Sequence, residues 1–379
     1  MEHLDQLSKV INPETGKSFT DEKRWLSVNS EGDKIVVTYK RDDIGTKHKR
    51  SIEDEIVKGL SEKFNEDNIF VKTVSTGSTP SSSTTTSAAT PKKNEDAKLA
   101  VGHGANTGKK RIPGVSNVIA VSSCKGGVGK STLTVNLAAS LVKLGKKVGI
   151  IDADIYGPSL PILLGQKGAK PQATENKKIK PLEAHGLKFI SFGLFIGEED
   201  PVIWRGPMLG GVLNQFFFDT DWGELDYLLI DLPPGTGDTQ LSMVQNTEVD
   251  GVVVISTPQD VAVADTKKGI KMFEQVNIPV LGLVENMSYF CPPDDATKKY
   301  YIFGEGGVKK AAKAMNHEFL GEVPLSIALR ESADAGVPYV ANMENEGTIV
   351  YNSYLNLASV VNKMRTKEDK GFFNKLFNK

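Results

Sequence analysis

Apolar residues recur in short continuous runs along most of the chain, and between these runs they recur at helical spacing. Runs of the first kind are "NVIAVSS", "KVGIID", "LKFIS", "DYLLID", "GVVVIS" and "VLGLVE". After the first run, apolar residues share one face of a predicted helix: Leu133, Leu137, Ala138, Leu141 and Leu144. Apolar strands that alternate with helices are typical of a mainly parallel sheet covered on both faces. We therefore predict a doubly wound α/β domain over residues 112–367.

Residues 1–75 carry shorter patterns that predict a small α+β domain. The stretch "KIVVTYK" alternates apolar and polar residues, as a half-buried strand does, and "NIFVKTVS" predicts a further strand. Between them, "SIEDEIVKGLSEKF" spaces its apolar residues for one face of a helix. A domain of this size buries little surface, so we expect only marginal stability for it alone.

Two segments contain little to bury in a core of their own. Residues 76–111 include "STGSTPSSSTTTSAATPKKNEDAK", which predicts a disordered linker because a polar chain cannot offset its ordering entropy. Residues 368–379 form a C-terminal tail in which "GFFNKLFNK" places four apolar side chains on one helical face beside lysines. We predict that this tail packs against the domain or frays, and contact with a membrane surface or partner stays open.

The charge balance and cysteine content restrict the classes of partner and compartment. The 379 residues include 46 lysines and arginines against 47 aspartates and glutamates, a net charge of −1. We expect no nucleic-acid partner, since such proteins carry a basic excess on one face. The only cysteines, Cys124 and Cys291, fit a reducing compartment. Without a leader pattern or a run of roughly 20 apolar residues, the sequence predicts a cytoplasmic protein with no stable membrane insertion.

The stretch "SSCKGGVGKST" lies between a predicted strand and a predicted helix. Its glycines let backbone N–H groups turn toward phosphate oxygens, and the start of the helix adds partial positive charge. We assign Lys130 to the β- and γ-phosphates of ATP, Ser131 to Mg²⁺ and Thr132 to the α-phosphate. The predicted nucleotide-binding residues of this loop are Gly126, Gly127, Val128, Gly129, Lys130, Ser131 and Thr132.

Acidic residues follow two further predicted strands. The stretch "IIDAD" places Asp152 and Asp154 just past an apolar run, and "LLIDLPPGTGD" does the same with Asp231. Carboxylates at such positions can hold hydrated Mg²⁺ and orient a water molecule against the γ-phosphate. We assign Asp154 to the attacking water, and Asp152 and Asp231 to the water shell of the metal. These residues and Lys130 predict an ATPase that turns over slowly, as a switch does.

With its leading Lys125, the loop resembles the deviant Walker A loop of the class that includes MinD, ParA and the nitrogenase iron protein. The stretches "DADIYGPSLP" and "DLPPGTGD" resemble the Mrp/ApbC branch, whose members carry iron–sulfur clusters. This resemblance covers about residues 112–363. It implies a homodimer in which Lys125 crosses the interface and acts at the nucleotide of the other subunit. It also implies that Asn286 in "VENMSYF" contacts adenine.

The N-terminal stretch "VINPETGKSF" resembles the opening of the PaaD-like iron–sulfur assembly domain. This resemblance covers residues 1–75 and implies a role for that domain in cluster assembly. The domain contains no cysteine, so it provides no thiolate of its own.

The sequence departs from the Mrp/ApbC pattern after "ENMSYF". Most carriers of this branch have a C-x-x-C pair there, so that two subunits supply four thiolates to a [4Fe–4S] cluster. Here Cys291 has the first position and Asp294 the second. The resemblance implies that Cys291 is a cluster ligand, with Asp294 or an outside thiol completing the set. A loop cysteine without a ligand role is the alternative, and Cys124 is predicted to pack the base of the phosphate loop.

The resemblance as a whole implies an ATP-hydrolysing homodimer that takes iron–sulfur clusters from donors and delivers them to apoproteins. Two alternatives stay open. One is a positioning ATPase of the MinD/ParA type that acts on a membrane or DNA. The other is an adaptor in which the nucleotide stabilises the dimer without significant turnover.

Overall fold

The computed structural model describes most of the chain in two separate units. The units are Met1–Pro91 and Lys92–Lys379. The predicted tail at 368–379 and most of the predicted linker lie outside the described residues. The described residues are 4–31, 34–40, 44, 48–61, 63–65, 68–74, 109–195, 206–235, 238–245, 247–292, 294–295 and 297–365.

In its described residues, the N-terminal unit is a three-stranded sheet with one α-helix. Its elements are β1 (Trp25–Glu31), β2 (Lys34–Lys40), α1 (Lys49–Leu60) and β3 (Ile69–Val74). Strand β2 pairs antiparallel with β1 and parallel with β3. A parallel pair needs a crossover connection, and α1 supplies it by packing Ile52, Ile56 and Leu60 into the core of this unit.

The C-terminal unit is built on an eight-stranded sheet. Its strands are β4 (Val115–Ser123), β5 (Val148–Asp152), β6 (Leu182–Ala184), β7 (Leu187–Ser191), β8 (Leu225–Asp231), β9 (Gly251–Ser256), β10 (Val280–Phe290) and β11 (Phe319–Leu325). The order across the sheet is β11-β10-β9-β4-β8-β5-β7-β6. Every neighbouring pair is parallel except the β6–β7 pair at one edge. The predicted mainly parallel α/β sheet is therefore confirmed.

Helices cover both faces of this sheet. They are α2 (Lys130–Lys143), α3 (Leu160–Leu163), α4 (Gly206–Asn214), α5 (Asp238–Gln245), α6 (Asp260–Gln275), α7 (Gly307–Ala314), α8 (Ile327–Asp334) and α9 (Ile349–Arg365). Along β4, Val118 and Ala120 face one hydrophobic core, and Ile119 and Val121 face the other. This alternation is the period of two that a strand imposes. Within the part of the chain that the structure describes, no helix is both long enough and apolar enough to span a bilayer.

The register of the central strands brings their carboxyl ends to one edge. Val121 of β4 pairs with Asp231 of β8, and Asp231 also pairs with Asp152 of β5. Ligands in open parallel sheets bind beyond this edge. The fold therefore places the phosphate loop, which follows β4, beside the acidic ends of β5 and β8.

The core of the sheet generates a stability prediction. Leu229 lies in the middle of β8 with no exposed surface, so Leu229→Ala should lower the free energy of unfolding by about 2 to 5 kcal/mol. Urea denaturation followed by circular dichroism measures the change. The matched control is Leu144→Ala at a side chain that is 39% exposed, where we expect a loss below about 1 kcal/mol. Equal losses at the two positions would contradict the central place of β8.

Candidate nucleotide-binding site

The phosphate loop owes its shape to glycines in the left-handed region. Gly127 has φ 79° and Gly129 has φ 87°, which side chains other than glycine rarely adopt. A Cβ atom on Gly129 would lie 2.3 Å from Nδ2 of Asn286, whereas a Cβ on Gly126 or Gly127 would meet nothing within 4 Å. The loop is thus packed on one side and open on the other. The open side can admit phosphate oxygens.

Lys130 is buried among carboxylates at the start of α2. Its Nζ lies 2.8 Å from Oδ2 of Asp231 and 3.8 Å from Oδ2 of Asp154. Ser131 Oγ donates a hydrogen bond to the same Oδ2 of Asp231 at 2.5 Å, and Thr134 Oγ1 donates to Oδ1 at 2.8 Å. The structure therefore brings together four residues that the sequence predicts for the site, although their individual roles stay predictions.

Thr134 is a contact that the sequence analysis missed. It lies one helical turn after Lys130 and therefore on the same face of α2. Its hydroxyl also donates to the backbone carbonyl of Lys130 at 3.0 Å. Helical spacing from the loop lysine is the signal that would have identified it.

Asp152 organises the segment that carries Asp154. It is fully buried, and its carboxylate accepts hydrogen bonds from the backbone N–H groups of Asp154, Ser159 and Leu160 at 3.0 to 3.1 Å and from Ser191 Oγ at 2.9 Å. These contacts fix the course of the chain after β5. The structure therefore shows that Asp152 positions this segment. Its predicted role in the water shell of a metal stays a prediction.

Burial changes the acidity of these carboxyl groups. Desolvation, with a further contribution from the negative charge of Asp231, raises the pKa of Asp152 to about 7. Desolvation also raises the pKa of Asp154, while the nearby Lys130 ammonium opposes the increase. The edge of the sheet therefore holds more carboxylates than its single buried lysine can neutralise.

The oxygen donors at this edge fit Mg²⁺, which prefers hard ligands and keeps several waters. The Ser131 hydroxyl and the Asp231 carboxylate lie 2.5 Å apart. Among the described residues, no three histidine, cysteine, aspartate or glutamate side chains form a group that could hold a metal ion. Mg²⁺ at nucleotide sites usually takes its remaining ligands from phosphate oxygens and water.

Lys125 lies on the outer side of the loop. Its Nζ is 3.4 Å from Oδ2 of Asp265 on α6, and Lys268 contacts the other oxygen of that carboxylate at 3.2 Å. Lys125 is partly exposed, unlike Lys130. The structure thus separates the two lysines of the loop, with one directed into the sheet edge and one toward α6.

Asn286 contacts the phosphate loop itself. It is buried near the end of β10, and its Nδ2 donates to the backbone carbonyl of Val128 at 2.8 Å. Strand β9 separates β10 from β4, so the asparagine side chain reaches past the end of β9 to the loop. Its predicted contact with adenine stays a prediction.

Gln240 is a second residue that the sequence analysis missed. This buried side chain of α5 accepts from Ser122 Oγ at 3.1 Å and donates to the backbone carbonyls of Ser123 at 3.3 Å and Pro233 at 2.5 Å. It therefore ties the end of β4 to the loop that follows Asp231. No local pattern in the sequence predicts its contacts with Ser122 and Ser123, because these partners lie more than 100 residues away along the chain.

The two cysteines occupy different environments. Cys124 is 8% exposed, and burial raises its pKa to about 11, so its thiol stays neutral, while its packing at the base of the loop stays a prediction. Cys291 is half-buried and directly follows β10, with the exposed Asp294 in the same loop. Both cysteines are free thiols. One copy of the chain therefore offers one accessible thiol for a cluster.

A glycine-rich loop between a central parallel strand and a helix, with a buried lysine and two strand-end carboxylates, defines a P-loop NTPase domain. Residues 114–362 match the family described as "ParA: NUBPL iron-transfer P-loop NTPase". The match covers more than half of the chain, and the chain belongs to this family. The N-terminal unit lies outside the match, so its PaaD-like character stays a prediction.

Relatives with known names agree with this family. The "Iron-sulfur cluster carrier protein" of Aquifex aeolicus is 49% identical over 257 residues, which cover 68% of this chain and 70% of that protein. The protein of the same name from Synechocystis sp. is 51% identical over 231 residues, which cover 60% of this chain and 65% of that protein. The chain thus matches about two thirds of the length of these relatives.

Solved structures show the same fold. A nucleotide-binding protein from Archaeoglobus fulgidus, in complex with ADP, superposes with a TM-score of 0.56 at 38% identity over 65% of this chain and 94% of that protein. The cell division ATPase MinD of Pyrococcus furiosus superposes with a TM-score of 0.50 at 22% identity over 66% of this chain and 99% of that protein. The second likeness is one of fold alone.

The raised pKa of Asp152 generates a prediction about stability and pH. The unfolded state loses this proton near pH 4 and the folded state near pH 7, so the stabilisation that the protonated group gives is lost as the pH rises through this window. The stability advantage of wild type over Asp152→Asn should therefore shrink by about 2 kcal/mol between pH 5 and pH 8.

Denaturant unfolding at these two pH values measures the change. Asp334→Asn is the control, because the Asp334 side chain is 65% exposed. That control should differ from wild type by less than about 1 kcal/mol at both pH values. A wild-type advantage over Asp152→Asn that grows with pH would contradict the assignment.

Proposed function

We propose that this chain is an ATP-hydrolysing carrier of iron–sulfur clusters that works as a homodimer. The observation that carries the proposal is the contact of Lys130 Nζ with Asp231 at 2.8 Å and with Asp154 at 3.8 Å. It lies in the part of the chain that is about half identical to proteins named as iron–sulfur cluster carriers. Membership of a family of iron-transfer NTPases supports the same function.

The residues of the sheet edge divide the work of phosphoryl transfer. Backbone N–H groups of the loop and the Lys130 ammonium bind phosphate oxygens, for which Lys130 exchanges part of its contact with Asp231. Asp154 accepts a hydrogen bond from the attacking water. Mg²⁺, when bound near Ser131 and Asp231, neutralises charge on the phosphates. Such chemistry depends on positioning and charge. Small movements of these loops can therefore control the rate of ATP hydrolysis and keep it slow.

Exposed apolar residues at the nucleotide edge support the homodimer. Tyr156 follows β5 and is 77% exposed, and Val261 follows β9 and is 66% exposed. Tyr300, which pairs with the last residue of β10, and Ile327, which follows β11, are also exposed. Parallel strands end at a common edge, so these side chains lie at the same edge of the sheet as the phosphate loop. Apolar surface of this kind favours burial against a partner. In a symmetric dimer, the second copy would contribute the same surface to the interface.

A dimer formed through this edge gives Lys125 a second binding partner. Its side chain is partly exposed and is held by the surface residue Asp265 at 3.4 Å. An exposed ion pair of this kind is weak, because water and salt screen it. A nucleotide phosphate of the facing subunit can therefore compete for the lysine at low cost. This supports the role across the interface that the sequence resemblance implies.

The iron–sulfur cluster is the cargo of the proposed reaction. Two copies supply two Cys291 thiolates, whereas a [4Fe–4S] cluster is usually held by four. Asp294 lies in the same loop as Cys291, so either the Asp294 carboxylates of the two copies or outside thiols can complete the ligand set. Incomplete thiolate ligation suits a cluster that must leave for an apoprotein.

The alternatives have less support. The likeness to MinD is one of fold alone, and the tail that would contact a membrane lies outside the described residues. An adaptor without turnover would not need Asp154 beside the loop lysine. The cytoplasmic location stays a prediction.

Removal of the accessible thiol tests the carrier function. Anaerobic reconstitution with iron and sulfide should give wild type bound iron, bound sulfide and a visible absorption band. Cys291→Ser should lose most of all three, because two of the thiolates that bind the cluster in a dimer are gone. The matched control is Cys124→Ser, which removes the buried thiol and should load as wild type does. Equal loading of wild type and Cys291→Ser would reject a thiolate-bound cargo.

Replacement of the two loop lysines tests the dimeric ATPase. Lys130→Ala should abolish ATP binding, since this buried ammonium contacts the phosphates directly. Lys125→Ala should keep the Kd for ATP within about threefold while turnover falls at least about 10-fold, as for a cation supplied from a partner. Titration calorimetry and phosphate release measure the two quantities.

Lys268→Ala is the control for Lys125→Ala, because Lys268 contacts the same Asp265 carboxylate. It should change neither quantity. Parallel losses of binding and turnover in Lys125→Ala would contradict a role across the interface.

A further inference from the structure

Strand β10 joins the phosphate loop to the cysteine proposed to bind the cluster. Asn286 and Cys291 lie on one continuous stretch of chain, the first in contact with Val128 and the second just beyond the end of the strand. A strand in a regular ladder would hold both positions rigidly in the sheet. The structure of β10 between them is not regular.

The ladder of β10 is interrupted between Asn286 and Phe290. Its pairing with β9 ends at Glu285, opposite Ser256. Its pairing with β11 passes from Asn286, opposite Val323, to Phe290, opposite Leu325. Strand β10 thus advances four residues while β11 advances two. Such a bulge leaves residues without ladder hydrogen bonds and bends the strand.

Met287, inside this bulge, has an unfavourable backbone conformation. Its φ is 54°, in the left-handed region that is unfavourable for a residue with a side chain. Strain of this kind persists only when neighbouring contacts maintain it. Here the contacts come from both sides of Met287, through Asn286 to the phosphate loop and through Ser288 Oγ to the backbone carbonyl of Val323 at 3.1 Å.

The side chains of the bulge rest directly on the phosphate loop. Asn286 Nδ2 is 2.8 Å from the carbonyl of Val128. The position that a Cβ of Gly129 would take is 2.3 Å from Asn286 Nδ2 and 3.9 Å from the terminal methyl of Met287. A change in the orientation of the Val128–Gly129 peptide therefore changes the hydrogen bond that Asn286 makes with the loop.

Residues at the end of the bulge and in the loop after it contact one another next to Cys291 in the chain. The backbones of Phe290 and Tyr300 exchange two hydrogen bonds of 2.9 Å. Lys299 Nζ lies 3.9 Å from the centre of the Tyr289 ring, and that ring packs edge-on against Tyr301 at 6.2 Å. We name residues 289–291 with 299–301 the Cys291 group. Its two segments are bonded to each other, and Phe290 also pairs with Leu325 of β11, so a shift of the backbone at the bulge would be passed to both segments together.

We propose that the Asn286–Met287 step is a joint through which nucleotide at the phosphate loop changes the position of the Cys291 group. The inference rests on the proposed function, in which the joint would link ATP binding to the binding of the cluster at Cys291. The joint acts within one chain, in addition to any effect of dimer formation. Linkage then requires that cargo at Cys291 alters nucleotide affinity by the same factor.

Alkylation of Cys291 in the iron-free, full-length protein tests the joint. The rate of reaction with iodoacetamide is measured with and without saturating AMPPNP and Mg²⁺, and peptide mass spectrometry separates Cys291 from Cys124. Nucleotide should change the rate at Cys291 at least about threefold in wild type. In Met287→Gly, which removes the strain and loosens the joint, the change should fall below about 1.5-fold at nucleotide concentrations that saturate the variant.

The matched control is Asn277→Gly. Asn277 has the same left-handed backbone, with φ 57°, but lies in the turn before β10 and away from the loop. This variant should keep the wild-type response. Asn286→Ala, which removes the hydrogen bond to Val128, should lose the response as Met287→Gly does, and it serves as the second variant if Met287→Gly does not fold.

Two results would overturn the joint. One is a wild-type rate at Cys291 that nucleotide does not change. The other is an undiminished response in Met287→Gly or Asn286→Ala. Such a result would indicate that nucleotide protects the thiol by bringing a second copy over it, because these variants would still form that dimer. Since the protein in this experiment holds no cluster, the outcome is independent of reconstitution. If the protein shows the response but loads no cluster, the joint is supported and the proposed cargo is rejected.

Discussion

A buried lysine between strand-end carboxylates is the interaction on which the site depends. Burial of an unpaired charge costs several kcal/mol, and removal of one partner of a buried pair costs about 3 to 5 kcal/mol. Asp231 escapes this cost because Lys130, Ser131 and Thr134 all reach its two oxygens. The sheet supplies the carboxylate and α2 supplies the other three groups. The charge balance therefore holds the phosphate loop, α2 and β8 in one arrangement.

The same balance makes the edge responsive to a nucleotide. Asp152 and Asp231 are neighbours in register on β5 and β8, and burial with mutual repulsion raises the pKa of Asp152. Triphosphate would add negative charge beside them, so Lys130 must be shared between carboxylate and phosphate. Asp154 lies on a segment that Asp152 holds through backbone hydrogen bonds. A redistribution of charge at Lys130 thus changes the electrostatic environment of Asp154, the residue proposed to orient water.

The sequence predicted the elements of the site better than the contacts between them. Apolar runs predicted the parallel strands because both faces of the sheet are covered, and strand ends predicted that Lys130, Asp154 and Asp231 would meet. The contacts of Asn286 with Val128 and of Lys125 with Asp265 were not predicted. They join positions far apart in the chain, and they depend on strand order and register. The bulge at Met287 was not predicted for the same reason. It depends on the register of β10 against two neighbouring strands, and the apolar pattern of one strand does not reveal that register.

The magnitudes decide whether a strained residue can couple two sites. A left-handed Met287 costs about 1 to 3 kcal/mol, and coupling between sites in proteins typically amounts to about 1 to 3 kcal/mol. A joint with a much larger difference between its conformations would stay locked, and one with a much smaller difference would carry no signal. Ladder pairing of β10 with β9 ends at Glu285, and pairing with β11 skips from Asn286 to Phe290. Nucleotide binding therefore needs to shift only this short stretch of backbone to reach Cys291.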